Sequence, residues 1–259
     1  MINKIHNMDC VEGLRMLPDN SIDLTVTSPP YDNLRTYNGF EWDFETTAEE
    51  LFRVTKQGGI VVWIVNDATI DGSETGTSFK QALFFKECGF NLHDTMIWHK
   101  ISKFQHSCRY IPSFEYMFVF SKGKPKTTNI IQDRKNKYGG QKLHSTERMP
   151  DGSMRVASCT KMGRRIKEYG SRENIWDIPS ERSKITKNHP ATFPIQLVKD
   201  HIITWSNEGE TVLDCFMGSG TTAVACVKNN RNYIGFELSK EYCEIAESRI
   251  EEETCQLCL

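Results

Sequence analysis

The fold is decided by one stretch near the C-terminal end, Val212-Leu213-Asp214-Cys215-Phe216-Met217-Gly218-Ser219-Gly220-Thr221-Thr222. Its apolar start predicts a buried β-strand, its two glycines predict a tight turn, and the residues from Thr222 onward predict a helix. Glycines let a ligand approach the backbone closely, and the N-terminus of a helix offers unpaired N–H groups. The stretch therefore has the architecture of a nucleotide-binding turn, and a purely structural strand-to-helix turn is the alternative.

The spacing within this turn excludes two common nucleotide-binding patterns. Ala223 occupies the position of the third glycine in the dinucleotide pattern G-x-G-x-x-G, and the G-K-[ST] of a P-loop is absent. The next predicted strand, 232–237, ends in Glu237, whose carboxylate can accept hydrogen bonds from both ribose hydroxyls of an adenosine. The turn and the glutamate together favour a ligand that contains adenosine, and an ordinary surface glutamate is the alternative.

A second chemical signal is Thr27-Ser28-Pro29-Pro30-Tyr31, which follows the apolar run 22–27 and must end any strand there. Ligand crevices form at the carboxyl ends of strands in open α/β sheets. The two prolines remove N–H donors and leave a hydroxyl, carbonyl acceptors and an aromatic ring. Ser28 could hold the exocyclic amine of a planar base while Tyr31 stacks on its ring. A rigid loop that caps the core is the alternative.

Apolar strands alternate with helical patterns along most of the chain. The other predicted strands are 60–65, 91–98 and 116–120, and the predicted helices are 48–55, which Gly58-Gly59 should end, 79–88, 193–205, 222–228 and 240–252. Buried strands that alternate with helices predict an α/β fold, with a mostly parallel twisted sheet covered by helices on both faces. A chain of 259 residues with 38% hydrophobic residues fits one such domain with an insertion.

Positive charge is concentrated in one segment of a chain whose net charge is −2. The segment from Ser121 to Glu173 contains 14 Lys or Arg and 5 Asp or Glu, several glycines and few aliphatic residues. This composition is typical of an irregular, solvated insertion. Clustered Lys and Arg gain binding energy from the counterions that a nucleic acid releases, so the segment could bind a polyanion. A charged surface loop without a ligand is the alternative.

The composition excludes several classes of protein. No apolar run approaches the ~18 residues of a membrane-spanning helix, and Met1–Asn7 lacks the apolar core of a secretory signal. The 9 cysteines are scattered and odd in number, unlike a secreted disulfide framework. Cys255 and Cys258 have metal-like spacing but no second pair, so no metal is expected. We expect a soluble, cytoplasmic protein with no membrane partner.

Together the two chemical signals resemble the S-adenosylmethionine-dependent amino-methyltransferases of DNA, which modify cytosine at N4 or adenine at N6. The residues that carry the resemblance are Ser28-Pro29-Pro30-Tyr31 and Asp214-x-Phe216-x-Gly218-x-Gly220-Thr221-Thr222. Their order, with the catalytic loop before the cofactor turn, is similar to that of the β-class. The resemblance implies a Rossmann-like methyltransferase fold, S-adenosylmethionine as cofactor and double-stranded DNA as partner. It also allows a homodimer and a cognate restriction endonuclease, which no sequence feature decides.

The resemblance implies a division of the chain and a set of site residues. It gives a catalytic half (1–123), a target-recognition insertion (124–172) and a cofactor-binding half (173–259). Asp9-Cys10 is similar to a family segment near the adenosine, and the segment around Pro194 to one that closes the methionine side. The implied catalytic residues are Ser28, Pro29, Pro30 and Tyr31. The implied cofactor-binding residues are Asp9, Cys10, Ser28, Pro194, Asp214, Phe216, Gly218, Ser219, Gly220, Thr221, Thr222 and Glu237.

The resemblance also implies a mechanism without a metal or a cysteine nucleophile. The target base flips out of the duplex, because its amine is inaccessible while the base is stacked and paired. Ser28 and the Pro29 carbonyl accept hydrogen bonds from the amine. Many adenine-N6 members carry Asp at the position of Ser28 and Lys at that of Phe193, so cytosine N4 is favoured and adenine N6 is the alternative. Two remote alternatives are a nicotinamide-dependent oxidoreductase and a non-catalytic DNA-binding protein.

Overall fold

Eight strands form one sheet in the computed structural model, which describes residues 1–30, 42–100, 108–180 and 194–257. Three two-stranded sheets contain the other strands of these ranges. In chain order the strands are β1 (Lys4–Asn7), β2 (Ile22–Thr27), β3 (Thr55–Val65), β4 (Thr69–Ile70), β5 (Ser73–Glu74), β6 (Asn91–His99), β7 (Phe114–Ser121), β8 (Arg134–Lys135), β9 (Thr146–Arg148), β10 (Met154–Val156), β11 (Tyr169–Gly170), β12 (Ile175–Asp177), β13 (Thr211–Asp214) and β14 (Asn232–Glu237). The helices are α1 (Cys10–Arg15), α2 (Phe44–Val54), α3 (Thr77–Glu87), α4 (Ser158–Lys161), α5 (Ile195–Trp205), α6 (Thr221–Lys228) and α7 (Lys240–Leu257).

The sheet is mostly parallel, in the order β1-β14-β13-β2-β3-β7-β6-β12. The strands from β1 to β3 in this order all pair in parallel, and β12 pairs in parallel with β6. β7 is antiparallel to both of its neighbours. Parallel sheets are covered on both faces, and β2 is accordingly buried along its whole length. The predicted Rossmann-like α/β fold is confirmed.

Two hydrophobic clusters cover the faces of the sheet, because successive strand residues point to opposite sides. Ile60 and Val62 of β3 pack in a cluster with residues of α5 and α6. Val61 and Trp63 pack in the other cluster, with residues of α1, α2 and α3. Helices therefore pack on both faces of the sheet, and the loops that follow the parallel strands lie at its carboxyl-end edge.

One predicted helix end was wrong. The sequence predicts that Gly58-Gly59 ends the helix around Ala48–Thr55, whereas α2 ends at Val54 and both glycines lie inside β3. Gly58 adopts a φ of 81°, and the pairing of β3 with β2 shifts register at this point. A glycine in the left-handed region is typical of a bulge in a strand. The glycine pair therefore bends β3 instead of ending α2.

The chain divides into two compact units, of which the second is the continuous segment Ile130–Glu173 and the first contains the rest. Within the second unit β8 pairs with β11 and β9 pairs with β10. Ion pairs join Arg172 to Asp133 and Arg155 to Glu147. This unit begins later than the insertion predicted at 124–172, because Asn129 hydrogen-bonds to Thr204 of α5 in the first unit. Among the described residues, no helix is long and apolar enough to cross a membrane.

A tight contact between α6 and α7 yields a testable prediction. Gly220 precedes α6 with a φ of 82°, and a Cβ there would lie 2.6 Å from the Cβ of Ala246 in α7. Gly209 has a φ of 79° with nothing within 4 Å of such a Cβ. Gly209→Ala should therefore cost only the left-handed strain, about 1–2 kcal/mol. Gly220→Ala should cost about 1–3 kcal/mol more, because α7 must shift. Urea unfolding measures both, and equal losses would contradict the packing argument.

Candidate active site

The site residues predicted from separate parts of the sequence follow strands that are neighbours in the sheet. Ser28-Pro29-Pro30 follows β2, the turn 215–220 follows β13, Glu237 ends β14, and Asp9 follows β1. The register pairs Asn7 with Glu237 and Leu213 with both Ile234 and Thr25. Because these strands are parallel, their carboxyl ends lie side by side at one edge of the sheet. Tyr31 lies outside the described residues, so its part in the site stays a prediction.

The carboxylate of Asp214 joins the end of β2 to the turn after β13. Thr27 Oγ1 donates to Asp214 Oδ1 at 2.6 Å, and Thr222 Oγ1 donates to Oδ2 at 2.6 Å. The backbone N–H of Phe216 also donates to Oδ1, at 3.1 Å. Asp214 is only 1% exposed, and burial raises the pKa of its carboxyl to about 6. O–H···O distances of 2.6 Å are typical of hydrogen bonds to an ionised carboxylate.

The turn 215–220 is held by contacts from the end of β14 and from α7. The N–H of Gly218 donates to Glu237 Oε2 at 2.9 Å, and that of Ser239 donates to Oε1 at 2.8 Å. Burial raises the pKa of Glu237. Arg249 of α7 donates to the backbone carbonyl of Ser219 and, at 3.0 Å, to its hydroxyl. Each Glu237 oxygen retains acceptor capacity beyond its backbone donor, because a carboxylate oxygen has two lone pairs.

Asp9 and Cys10 have structural contacts at the start of α1. Asp9 caps the helix by accepting hydrogen bonds from the N–H groups of Val11 at 2.8 Å and Glu12 at 3.3 Å. The Cys10 side chain packs in the core, where burial raises the pKa of its thiol to about 11. Burial likewise raises the pKa of Cys215 well above the usual value of a thiol. Both thiols are therefore protonated at neutral pH and are poor nucleophiles.

An aromatic wall beside the turn was missed by the sequence analysis. The ring of Trp42 lies edge-on to Phe216, with centroids 5.2 Å apart, and 6.0 Å from the ring of Trp63. Trp42 immediately precedes Asp43, which caps α2. In the sequence, Trp42 stands beside a helix cap and outside any hydrophobic pattern. Its contact with Phe216 therefore could not be predicted from the sequence.

The remaining predicted site residues lie at helix starts. Thr221 and Thr222 open α6, with Gly220 as its cap. Pro194 caps α5, which packs against β2 and α6. Phe193 lies outside the described residues. Within the ranges that the structure describes, no cluster of three or more His, Cys, Asp or Glu side chains could hold a metal ion.

Comparisons with known proteins agree with this arrangement. A family model described as DNA methylase, for N6 and N4 methyltransferases, matches residues 22–248. The orphan methyltransferase M.BamHII of Bacillus amyloliquefaciens is 58% identical over 240 residues, which are 90% of this chain and 89% of that protein. TTHA0409 of Thermus thermophilus, solved with S-adenosyl-L-methionine, is 26% identical with a TM-score of 0.65 and covers 97% of this chain and 94% of its own.

A further solved structure supports the fold alone. The PvuII DNA methyltransferase, described as cytosine-N4-specific, is 20% identical with a TM-score of 0.68, over 97% of this chain and 89% of its own. The family model covers far more than half of the chain and includes both the Ser28 segment and the Gly218 turn. The chain thus belongs to the N6/N4 DNA methylase family, as a β-class DNA amino-methyltransferase that uses S-adenosylmethionine.

Proposed function

We propose that this protein transfers the methyl group of S-adenosylmethionine to N4 of a flipped cytosine in double-stranded DNA. The observation that carries the proposal is the adjacency of β2 and β13, which sets the Ser28 segment beside the turn 215–220 at one edge of the sheet. A methyl donor held by the turn then faces an amine held by the Ser28 segment. Alignment of the two reactants provides a large part of the rate enhancement in such a transfer.

The chain offers a site that fits the adenosine part of the cofactor. The remaining lone pairs of Glu237 suit two ribose hydroxyls, as an acidic residue does at the end of the second strand of a nucleotide-binding fold. The wall of Trp42 and Phe216 offers an apolar surface for a purine ring. Asp214 is occupied by protein donors, so we assign it to the shape of the turn. The remaining cofactor contacts are proposed for Asp9, Cys10, Ser28, Pro194, Phe216, Gly218, Ser219, Gly220, Thr221 and Thr222.

The Ser28 segment supplies acceptors for an amine. Pro29 and Pro30 have no N–H groups, so the segment presents the Ser28 hydroxyl and carbonyl oxygens. Hydrogen bonds from the amine to Ser28 and to the Pro29 carbonyl draw the nitrogen lone pair out of conjugation with the ring. When bound, S-adenosylmethionine supplies an activated methyl group for this nitrogen. The protonated Cys10 and Cys215 fit a direct transfer, in which no thiolate takes part.

The identity of the base rests on Ser28. Many adenine-N6 relatives carry aspartate, a stronger acceptor than a hydroxyl, at this position and lysine at the position of Phe193, so the serine and the phenylalanine favour cytosine N4. Adenine N6 is the second candidate, because a hydroxyl can also hold an adenine amine. Neither a homodimer nor a restriction endonuclease is needed for this chemistry. We propose a cytoplasmic location, because the substrate is DNA.

The second unit is proposed as the part that recognises the target sequence. Lys142 and Arg165, both exposed, lie directly opposite each other in an isolated antiparallel bridge. Like charges at opposed positions are unfavourable. A phosphate between them would turn the repulsion into two favourable contacts. The cationic pair therefore supports contact with the DNA backbone by residues 130–173.

The base can be identified directly. Protein incubated with S-adenosylmethionine and mixed-sequence DNA should yield N4-methylcytosine when the DNA is digested to nucleosides and analysed by mass spectrometry. N6-methyladenine in its place would reassign the base and leave the DNA methyltransferase activity intact. Unmodified DNA would contradict the proposed function.

Ser28→Ala should lower the rate constant of methyl transfer by about a hundredfold, because the amine loses an acceptor that acts at the reacting nitrogen. The affinity for S-adenosylmethionine should fall less, since the turn and Glu237 remain in place. Single-turnover methylation and calorimetry with the cofactor measure the two effects. Ser121→Ala is the matched control, because Ser121 is buried in β7 and its hydroxyl has no hydrogen-bond partner among the described residues. Equal activity in both variants would remove Ser28 from the site.

Lys142→Gln should weaken binding to DNA of any sequence and make log K less dependent on log salt concentration, by about 0.9 for one phosphate contact. The same change at Lys86, which is exposed on α3, serves as the control. Fluorescence anisotropy with a labelled duplex at several salt concentrations gives both slopes. Identical slopes for the two variants would exclude Lys142 from the DNA contact.

A further inference from the structure

Three buried side chains connect the two halves of the site through one carboxylate. Thr27 and Thr222 are 0% exposed and Asp214 is 1% exposed. Thr27 is the last residue of β2, Asp214 is the last of β13, and Thr222 is the second residue of α6. Both hydroxyls donate to the carboxylate at 2.6 Å. The connection therefore runs from the catalytic segment, through Asp214, to the helix that follows the cofactor turn.

The bond from Thr27 lies where the backbone pairing of its strand with β13 has ended. The paired residues on this side are Val212 with Leu24 and Leu213 with Thr25. On the other side β2 continues, and Thr27 still pairs with Trp63 of β3. Thr27 is therefore tied to β3 by its backbone and to β13 by its side chain. The hydroxyl thus links β2 to β13 beyond the last residue pair of their backbone ladder.

We infer that Thr27 is a positioning residue, whose hydrogen bond to Asp214 sets the distance between Ser28 and the cofactor turn. Ser28 is the next residue in the chain, so a displacement of Thr27 away from Asp214 moves the proposed amine acceptor by a similar amount. Misplacement of a reactant by about 1 Å can reduce the rate about a hundredfold. The inference rests on the proposed function, because it assigns Ser28 to the amine and the turn to the cofactor.

The negative charge of Asp214 decides which group donates in the hydrogen bond with Thr27. Burial raises the pKa of Asp214 to about 6, which leaves it ionised at neutral pH. Glu237, Cys215 and Cys226 interact with it electrostatically, and none of these three is a cation. An ionised carboxylate only accepts hydrogen bonds, so both threonines must act as donors towards it. Their hydroxyl rotors are thereby fixed, and Thr27 and Thr222 are held by the two oxygens of one anion.

The two threonines should affect different kinetic quantities. Thr222 holds the helix that follows the cofactor turn, so Thr222→Val should weaken binding of S-adenosylmethionine. Thr27 holds the segment that receives the base, so Thr27→Val should lower the rate constant of methyl transfer while the Kd for S-adenosylmethionine changes by less than about twofold. A purely structural role for the bond would instead lower stability and change both quantities together.

The test compares Thr27→Val with wild-type protein in single-turnover methylation at saturating S-adenosylmethionine and DNA. We expect the rate constant of methyl transfer to fall by about ten- to a hundredfold, because Ser28 is displaced from the turn 215–220. Thr27→Ser, which keeps the hydroxyl, should recover most of the loss. Thr25→Val is the matched control, because Thr25 is buried in the same strand and its hydroxyl has no hydrogen-bond partner in the described ranges. It should behave as wild type.

The outcomes separate the inference from the function on which it rests. Wild-type protein that methylates DNA, with Thr27→Val equally fast, would overturn the inference alone. Equal losses in Thr27→Val and Thr25→Val would also overturn it, since any polar-to-apolar change in β2 would then suffice. Wild-type protein that leaves DNA unmodified would remove the proposed function and the inference with it. If Thr27→Val does not fold by circular dichroism, Thr27→Ala replaces it, because alanine also lacks the hydroxyl.

Discussion

A buried carboxylate with three protein donors is the interaction on which the geometry of this site depends. Asp214 takes hydrogen bonds from Thr27, Thr222 and the N–H of Phe216, and it has almost no exposure to solvent. An uncompensated buried charge is strongly unfavourable, so the three donors must stay in place for the charge to be tolerated. The carboxylate thereby constrains a strand end, a turn and a helix start at the same time.

The parallel sheet provides the second constraint. In a parallel sheet the loops that follow the strands all lie at the same edge, even when the strands are far apart in the sequence. Thr27 and Asp214 are 187 positions apart in the sequence and yet are in contact. The register of β2 with β13, and of β13 with β14, decides which loop residues meet there. Chemistry at this edge therefore follows from the order of the strands as much as from the identity of the side chains.

Much of the fold could be predicted from local patterns, and the contacts of the site could not. The bounds of β2 could be predicted because its apolar run stops before two prolines. Those of β14 could be predicted because its apolar run precedes a charged helix. Gly58 misled the prediction, because a glycine after a helix and a glycine in a bulged strand look alike in sequence. The partners of Asp214 and the neighbour of Phe216 depend on register between distant strands and on loop geometry. Local patterns indicate the residue types that suit the chemistry, whereas the distances between them exist only in the folded chain.

The second unit is one uninterrupted length of chain, Ile130–Glu173, and both of its flanks are anchored in the first unit. Asn129 is bound to Thr204, and the carbonyl of Asn174 is bound to the N–H of Ile97. The segment between them can be replaced in a single genetic event without altering a strand of the sheet. If the second unit recognises the target sequence, as proposed, a new DNA target could evolve by exchange of residues 130–173 while the residues of the methyl-transfer site stay the same.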